Sequence, residues 1–250
     1  MVETRYREQV YEIILNRPEK HNAFDAEMIG RVTQAVHDVP AETRLVLFRG
    51  NGKSFCAGAD INYMSQQASF TDDENREDAR RLAHMFEMIY GLPQPTVALA
   101  QGNIFGGGLG ILAACDIALA TSDARFCFSE VRLGIIPAII STYVLRKTGT
   151  AFAKRYFLSA EIFDADTARA SGLIADHFAP EQAEEACTRL CDTLVSQGLQ
   201  AQKSIKKVLH AYENFEPFSR DQLVHELAKL RASDDARMRM ASFLDRNKRS

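Results

Sequence analysis

The sequence from Pro93 to Ala138 reads PQPTVALAQGNIFGGGLGILAACDIALATSDARFCFSEVRLGIIPA. It joins a short apolar strand, a run of glycines, an apolar helix and two further extended segments, and the second of these leads to Glu130. We interpret this stretch as a site built on backbone amides. What those amides bind must be inferred from the rest of the chain.

The glycines of this stretch are unfavourable for a helix. Gly106, Gly107, Gly108 and Gly110 stand where the helix begins, although each glycine costs about 1 kcal/mol relative to alanine. Bare backbone at a helix start lets a ligand approach unsatisfied N–H groups, where the helix dipole favours negative charge. A sharp, tightly packed strand-to-helix turn is the alternative that the glycines alone leave open.

A dinucleotide site also deserves comparison, because Gly108, Gly110 and Ala113 fit G-x-G-x-x-A and Glu130 follows Gly108 by 22 residues (130 − 108). The context disfavours it. The six residues Gly102 to Gly107 intervene before the first glycine of this fingerprint, and two strands, rather than one, lie between the helix and the acid. About a hundred residues with their own strands also come before the motif.

The favoured interpretation is an oxyanion hole, in which two backbone N–H groups stabilise the charge that develops when a thioester becomes an enolate. Gly107 can supply one N–H group. The second should come from another bare loop, and the comparable stretch is AGAD, from Ala57 to Asp60.

Strand and helix patterns alternate along the chain. Strands are predicted at 10–15, 45–48 and 96–100, and a helix at 26–37 with Asp25 as its cap. The polar residues 65–79 are predicted to begin as a mobile surface segment, with a helix resuming by Asp78. Helices follow Pro137, and a helical tail runs from Glu181 to the end. This order predicts an α/β fold, which we divide into a core at 1–190 and a C-terminal helical region at 191–250.

Composition limits the partners. The 250 residues carry 30 Lys and Arg against 33 Asp and Glu, a net charge of −3, which gives no reason to expect nucleic acid or an anionic membrane. The five cysteines lack metal-like spacing, so we expect reduced thiols and no metal. Without a leader pattern at the N-terminus or an apolar run of membrane-spanning length, a cytoplasmic protein is expected.

The chain resembles the crotonase superfamily, the enoyl-CoA hydratase and isomerase family, over nearly its whole length. The resemblance rests on NRPEKHNAF, FCAGADI, PTVALAQGNIFGGGLGILAACDIALA, FSEVRLGIIPA and GLIADHF in combination. It implies a spiral of ββα turns with a C-terminal helical trimerisation region, and assembly as a homotrimer or as a hexamer of two trimers. It also implies an acyl-CoA thioester substrate that brings its own coenzyme A, so no further cofactor is expected.

The resemblance assigns roles to individual residues. The two oxyanion-hole amides fall on Ala57 and Gly107, and the catalytic carboxylate falls on Glu130. Ala59, Asp60 and Ile61 belong to the loop that lines coenzyme A, and Lys20 or Arg17 could meet its phosphates. From the residues alone, Asp60 is expected to cap the next helix and Asp116 to satisfy loop amides.

The chain departs from the common hydratases at Gly110, where they carry a first glutamate that shares a water with the second. Only Glu130 remains here. The segments around Gly110 and Glu130 resemble the branch of methylglutaconyl-CoA and carboxygeranoyl-CoA hydratases, whose substrates are branched, so Gly110 would make room for the branch. His84 and Arg80 could then meet a substrate carboxylate, although a solvated helix face is the favoured interpretation of this pair.

Three functions follow from these observations. Hydration of a branched or carboxylated enoyl-CoA is preferred. A Δ3,Δ2-enoyl-CoA isomerase is the nearest alternative, because moving one proton requires one glutamate. A non-catalytic acyl-CoA-binding or RNA-associated protein is the third, and the modest net charge argues against RNA.

Overall fold

A mixed six-stranded sheet forms the centre of the protein, in a computed structural model that describes residues 1–67, 69–214, 216, 222–225, 227, 234 and 238–239. Its strands, in spatial order, are β1 (Val2–Arg7), β2 (Val10–Leu15), β3 (Leu45–Gly50), β4 (Thr96–Ala100), β6 (Ile117–Thr121) and β8 (Asp176–Phe178). β1 is antiparallel to β2, and every later neighbour is parallel. A second, two-stranded parallel sheet contains β5 (Asn103–Phe105) and β7 (Arg125–Cys127).

Eight α-helices lie within the described residues. They are α1 (Ala26–His37), α2 (Ile61–Gln67), α3 (Asp72–Gly91), α4 (Gly107–Ala114), α5 (Ala138–Ser159), α6 (Ala165–Ala170), α7 (Pro180–Ser196) and α8 (Leu199–Glu213). None of the helices within those bounds is long and apolar enough to cross a membrane.

Successive segments of the chain repeat one order of elements. β4, β5 and α4 form one unit, and β6, β7 and α5 form the next, each with its first strand in the large sheet and its second strand in the small one. Isolated bridges extend the small sheet to the earlier units, since Cys56 pairs with Ile104 and Phe24 pairs with Ala59. The chain therefore winds as a spiral of strand, strand and helix, as expected from the sequence.

The two faces of the large sheet bury different clusters. Alternation along β3 directs Val46 and Phe48 to the main core, shared with α1, α3, α4 and α5. Leu45 and Leu47 face the other way, where α7 covers them with Cys187 and its buried neighbours. The α1 helix begins as predicted, because the Asp25 carboxylate accepts the Met28 N–H at 2.8 Å.

The polar segment between Ser65 and Ala79 is the main correction to the sequence prediction. Most of its described residues are helical, since α2 continues to Gln67 and α3 already begins at Asp72. Thr71 and Glu74 form a capping box, in which the Thr71 N–H donates to Glu74 at 2.7 Å. This places α2 and the first turns of α3 beside the site described below.

The C-terminal helices also differ from the prediction. The helical tail expected from Glu181 is interrupted at Gln197 and Gly198, between α7 and α8. The boundary at 190/191 falls inside α7, which packs on the sheet over its length. Most of 215–250, and with it much of the predicted C-terminal helical region, lies outside the described residues.

Candidate active site

A cavity of about 510 Å³ opens where α4 begins, between the loop before α2 and the start of α5. Of the residues singled out from the sequence, those that line it are Ala57, Ala59, Ile61, Gly107 and Glu130. Large apolar side chains surround its mouth, and Ile61 and Ile136 are 78% and 74% exposed. The inner wall is formed by buried side chains, among them Phe24, Ile29 and Ile140.

Gly107 presents a free amide to this cavity. It is the first residue of α4, so its N–H has no acceptor within the helix. The preceding Gly106 has φ 46° and ψ −116°, a conformation that strains any other residue. A Cβ on Gly107 would lie 2.7 Å from the Phe24 ring, so close packing also requires glycine there. The sequence prediction and the geometry of Gly107 agree.

Ala57 lines the cavity but does not offer its amide. Its N–H donates to the His21 carbonyl oxygen at 3.0 Å. A group already bonded in this way is not available to a substrate oxygen. The assignment of the second oxyanion-hole donor to Ala57 is therefore corrected by the backbone hydrogen bonding.

Ala59 supplies the amide that Ala57 cannot. On either side of it, Gly58 accepts the Phe24 N–H at 2.7 Å and Asp60 donates to the Phe24 carbonyl at 2.8 Å. Because alternate residues of an extended chain direct their N–H groups to opposite sides, the Ala59 N–H points away from Phe24. It has no acceptor among the described residues, and Ala59 lines the cavity. The two available donors are thus Ala59 and Gly107.

Glu130 brings a carboxylate to the same place. It begins a short 3₁₀ turn, Glu130–Leu133, immediately after the segment that follows β7. One carboxylate oxygen would lie 3.3 Å from a Cβ on Gly106, so the side chain lies against the glycine turn. The other oxygen, Oε2, is buried without a hydrogen-bond partner in the described residues. Burial raises the pKa of Glu130, as expected of a carboxyl group that accepts a proton during catalysis.

Gly110 does not line the cavity, contrary to the expectation that it makes room for a branched substrate. A Cβ at this position would lie 2.5 Å from Phe86 Cζ and 2.5 Å from Ile140 Cγ2. The space that a glutamate fills in the common hydratases is therefore occupied by two core side chains. Glycine at this position permits helix packing rather than substrate binding.

Asp60 and Arg17 hold the loop rather than the substrate. The Asp60 carboxylate accepts the Asn62 N–H at 2.8 Å and the Tyr63 N–H at 3.3 Å, and so caps α2 as expected from the residues. Arg17 lies 3.0 Å from Asp60 and 2.5 Å from Asp25. Burial alone would raise the pKa of Asp60, but these hydrogen bonds and Arg17 outweigh it and lower the pKa.

The remaining predicted binding residues lie away from the cavity. Lys20 lies in the exposed turn Pro18–Lys20. His84 is 60% exposed on α3, with its ring 4.0 Å from Glu87, and Arg80 pairs with Glu77 at 3.7 Å. The structure does not bring these side chains to the cavity. His84 and Arg80 lie on a solvated face of α3, which was the interpretation favoured from the sequence.

Three polar side chains that the sequence did not indicate form part of the cavity wall: Tyr63, Gln67 and Asp78. The Tyr63 hydroxyl donates to one oxygen of Asp78, and Gln67 Nε2 donates to the other at 2.7 Å. The pKa of Tyr63 is raised, chiefly because the hydroxyl group is removed from water and secondly because it donates this hydrogen bond to Asp78. The sequence already predicted a helix by Asp78, and the capping box at Thr71 was the signal that could have placed the start of that helix at Asp72.

A smaller cavity of about 120 Å³ lies at the other end of α4. Here Lys206 donates to the Gln94 carbonyl at 2.9 Å and pairs with Asp116 at 2.8 Å. Asp116 also accepts the Thr96 N–H at 2.7 Å, so its expected structural role is confirmed. Tyr143 contributes to this cavity and not to the catalytic one. Within the described residues, no group of three or more His, Cys, Asp or Glu side chains could hold a metal ion.

Comparisons with known proteins identify the family of the chain. The sequence profile of the enoyl-CoA hydratase/isomerase family matches residues 5–250. A Syntrophomonas wolfei crotonyl-CoA hydratase is 31% identical over 195 residues, which are 76% of this chain and 74% of that protein. A Mycosarcoma maydis enoyl-CoA isomerase/hydratase is 34% identical over 201 residues, covering 75% and 70%.

The fold is also shared with solved structures. An enoyl-CoA hydratase from Shewanella pealeana superposes with a TM-score of 0.91 at 36% identity, covering 98% of this chain and 93% of that one. The expected crotonase-like α/β spiral is therefore confirmed. On its sequence, its fold and the free amides beside Glu130, the chain belongs to the enoyl-CoA hydratase/isomerase family.

Proposed function

We propose that the protein is an enoyl-CoA hydratase that adds water reversibly across the α,β double bond of an acyl-CoA thioester. One observation carries the proposal. The buried Glu130 carboxylate, with an unpartnered oxygen, lies against the glycine turn that leads to the free Gly107 amide. The Ala59 amide opens on the same cavity. This arrangement can bind a thioester oxygen and a water molecule together.

The proposed chemistry gives each of these groups a role. The Ala59 and Gly107 amides hold the thioester oxygen and stabilise the negative charge that develops as water attacks the β carbon. Glu130 accepts a proton from that water, and the protonated carboxyl group then donates a proton to the α carbon as the enolate collapses. Glu130 thereby regains its charge. Coenzyme A enters as part of the substrate, and we propose no other cofactor.

The branched acyl group suggested by the sequence stays within the proposal. It no longer rests on Gly110, whose neighbouring space is filled by Phe86 and Ile140. A cavity of about 510 Å³ lies within the range of roughly 300–1,000 Å³ that small-molecule sites occupy, which leaves room for a short branched chain. The carboxylated acyl group has lost its support, since Arg80 and His84 do not reach the cavity.

Assembly as a trimer or hexamer, in the cytoplasm, also remains a proposal. Large apolar side chains away from the cavity are exposed, including Leu158, Ile205 and Leu209. Exposed apolar groups of this size are typical of surfaces that contact another protein. Light scattering on the purified protein gives the mass of the assembly.

The function is tested with Glu130→Gln on crotonyl-CoA. We expect the hydration rate to fall by about 10²–10⁴-fold, because the amide cannot accept the proton. In the wild type, the rate should fall as the pH drops through the raised pKa of Glu130, because the base must be ionised. Glu185→Gln, an exposed change on α7, is the control that should keep full rate. A folded Glu130→Gln variant with the wild-type rate would contradict the proposal.

Isomerisation is the second candidate. Glu130 is the one glutamate that lines the cavity in the described residues, and a single carboxylate suffices to move one proton from the α carbon to the γ carbon as the double bond shifts from the β,γ to the α,β position. Mass spectrometry of the product separates the two reactions, because hydration adds 18 mass units whereas isomerisation adds none. Binding of acyl-CoA without either product would favour the non-catalytic alternative.

A further inference from the structure

Asp78 places a second carboxylate on the cavity wall, separate from Glu130. It lies on α3 and accepts hydrogen bonds from Tyr63 and from Gln67, both of which belong to α2. Two donors thus fix its orientation across the interface between these helices. This pair of helices forms one wall of the cavity.

The position of Asp78 along α3 separates it from the catalytic end of the cavity. Phe86 lies eight residues further along α3 (86 − 78) and fills the space beside Gly110 in α4. At 1.5 Å per residue, the two positions are about 12 Å apart along the helix axis. Asp78 therefore does not replace the glutamate that is absent at Gly110.

Asp78 is half-buried, and it shares this wall of the cavity with the side chains of Ile29 and Tyr63. Tyr63 and Ile29 are buried there, whereas Ile61 and Ile136 at the mouth are largely exposed. The bulky, charged coenzyme A portion of a substrate remains hydrated and so requires the open side. The acyl chain is then directed towards the wall formed by Ile29, Tyr63, Asp78 and Leu82.

Charges on the cavity wall oppose an anionic acyl group. The charged side chains among the described lining residues are Asp78, Glu130 and Arg132. The guanidinium group of Arg132 donates to the Ala160 carbonyl. A carboxylate at the end of the acyl chain would therefore approach Asp78 without a matching cation on this wall. A like charge brought close to a half-buried carboxylate is unfavourable.

We propose that this wall selects acyl-CoA thioesters whose acyl chain has no terminal negative charge, with Asp78 as the residue that determines the selection. The inference rests on the proposed function, since it concerns the acyl group at the same site. Apolar chains meet Ile29 and Leu82, while Asp78 repels diacid-derived chains. Tyr63 is a positioning residue that holds the Asp78 carboxylate in place.

Binding can test this selection without turnover. Calorimetry compares pentanoyl-CoA with glutaryl-CoA, which have acyl chains of equal length and differ in the terminal carboxylate. We expect the wild type to bind pentanoyl-CoA at least about tenfold more tightly, and Asp78→Asn to reduce that ratio mainly by improving glutaryl-CoA binding. Asp73→Asn is the matched control, on the same helix but 94% exposed, and should leave the ratio unchanged.

Equal or tighter binding of glutaryl-CoA by the wild type would overturn the inference. So would an unchanged ratio in folded Asp78→Asn. If that variant does not fold, the ratio of the two affinities is measured for the wild type at low and at high salt. Salt screens the repulsion from Asp78, so the preference for pentanoyl-CoA should decrease at high salt, and an unchanged preference would overturn the inference. A preference for pentanoyl-CoA without any hydration of enoyl-CoA would contradict the proposed function while leaving the selection intact.

Discussion

At the scale of single residues, the glycines of the site serve different purposes. Gly106 provides a backbone angle, Gly107 provides an amide and a close approach to Phe24, and Gly110 makes room for Phe86 and Ile140. The sequence indicated that bare backbone was needed here, and it identified Gly107 and Glu130. It could not distinguish these three purposes, because they depend on side chains that are distant in sequence.

The packing role of Gly110 predicts the effect of adding one methyl group. Gly110→Ala should lower the free energy of unfolding by about 1–3 kcal/mol, since its Cβ would overlap Phe86 and Ile140. Gly30→Ala, in the interior of α1 with no atom near its Cβ, should raise it by about 0.4–1 kcal/mol. Denaturant unfolding of both variants checks the pair. A Gly110→Ala protein as stable as the wild type would show that the space is open.

The two alanines of the loop show where sequence reasoning ended. Ala57 and Ala59 lie in the same small-residue stretch, and composition does not separate them. The separation comes from hydrogen bonds to His21 and Phe24, which lie more than thirty positions earlier in the chain. A shift of two residues along an extended strand was therefore beyond what the local sequence determines.

At the scale of elements, prediction succeeded where a core face was visible. The strand at Val10–Leu15 and the α1 helix were predicted with their observed bounds, because apolar residues recur with the right period and Asp25 marks a start. The start of α3, from Asp72 to Glu77, was missed, because the buried residues of this helix, Met85, Phe86 and Ile89, all lie in its second half. A helix that projects beyond the core shows little apolar periodicity.

The capping box should therefore contribute much of the local order of the first turns of α3. Thr71→Ala should lower the free energy of unfolding by about 0.5–2 kcal/mol, since the Glu74 N–H loses its side-chain acceptor. Hydrogen exchange should show faster exchange of the amides at 73–76, with those of α1 unchanged. Equal exchange of the α3 amides in both proteins would argue against the role of this cap.

At the scale of the whole molecule, buried polar contacts attach the C-terminal helices to the spiral. Arg44 Nε donates to the Val195 carbonyl at 2.9 Å, at the end of α7. Lys206 joins α8 to Asp116 and Gln94. Lys206 is buried, whereas the adjacent Lys207 is exposed. The local sequence around a lysine does not indicate which distant carbonyl group will accept its hydrogen bond.

The buried lysine predicts a change in how firmly α8 is held. Lys206→Met should lower the free energy of unfolding by about 1.5–3 kcal/mol, since the Gln94 carbonyl loses its charged donor. Limited proteolysis should then cut earlier near Gly198, between α7 and α8. Lys207→Met, one residue further along on the exposed side, is the control that should change neither quantity. Similar behaviour of the two variants would show that the buried contact is unimportant.

The pairing of adjacent chains, Phe24 with Ala59 and Cys56 with Ile104, has a consequence for the distances in the oxyanion hole. Neighbouring strands lie about 4.8 Å apart, and an oxygen between two amides accepts from each at about 2.9 Å. Since twice 2.9 Å exceeds 4.8 Å, the natural spacing of a sheet already brings two donors from adjacent chains within reach of one atom. Inserting one residue between Cys56 and Ala59 would keep the distance between the paired chains but turn the Ala59 N–H to the opposite side. The thioester oxygen would then have a single donor, the Gly107 N–H.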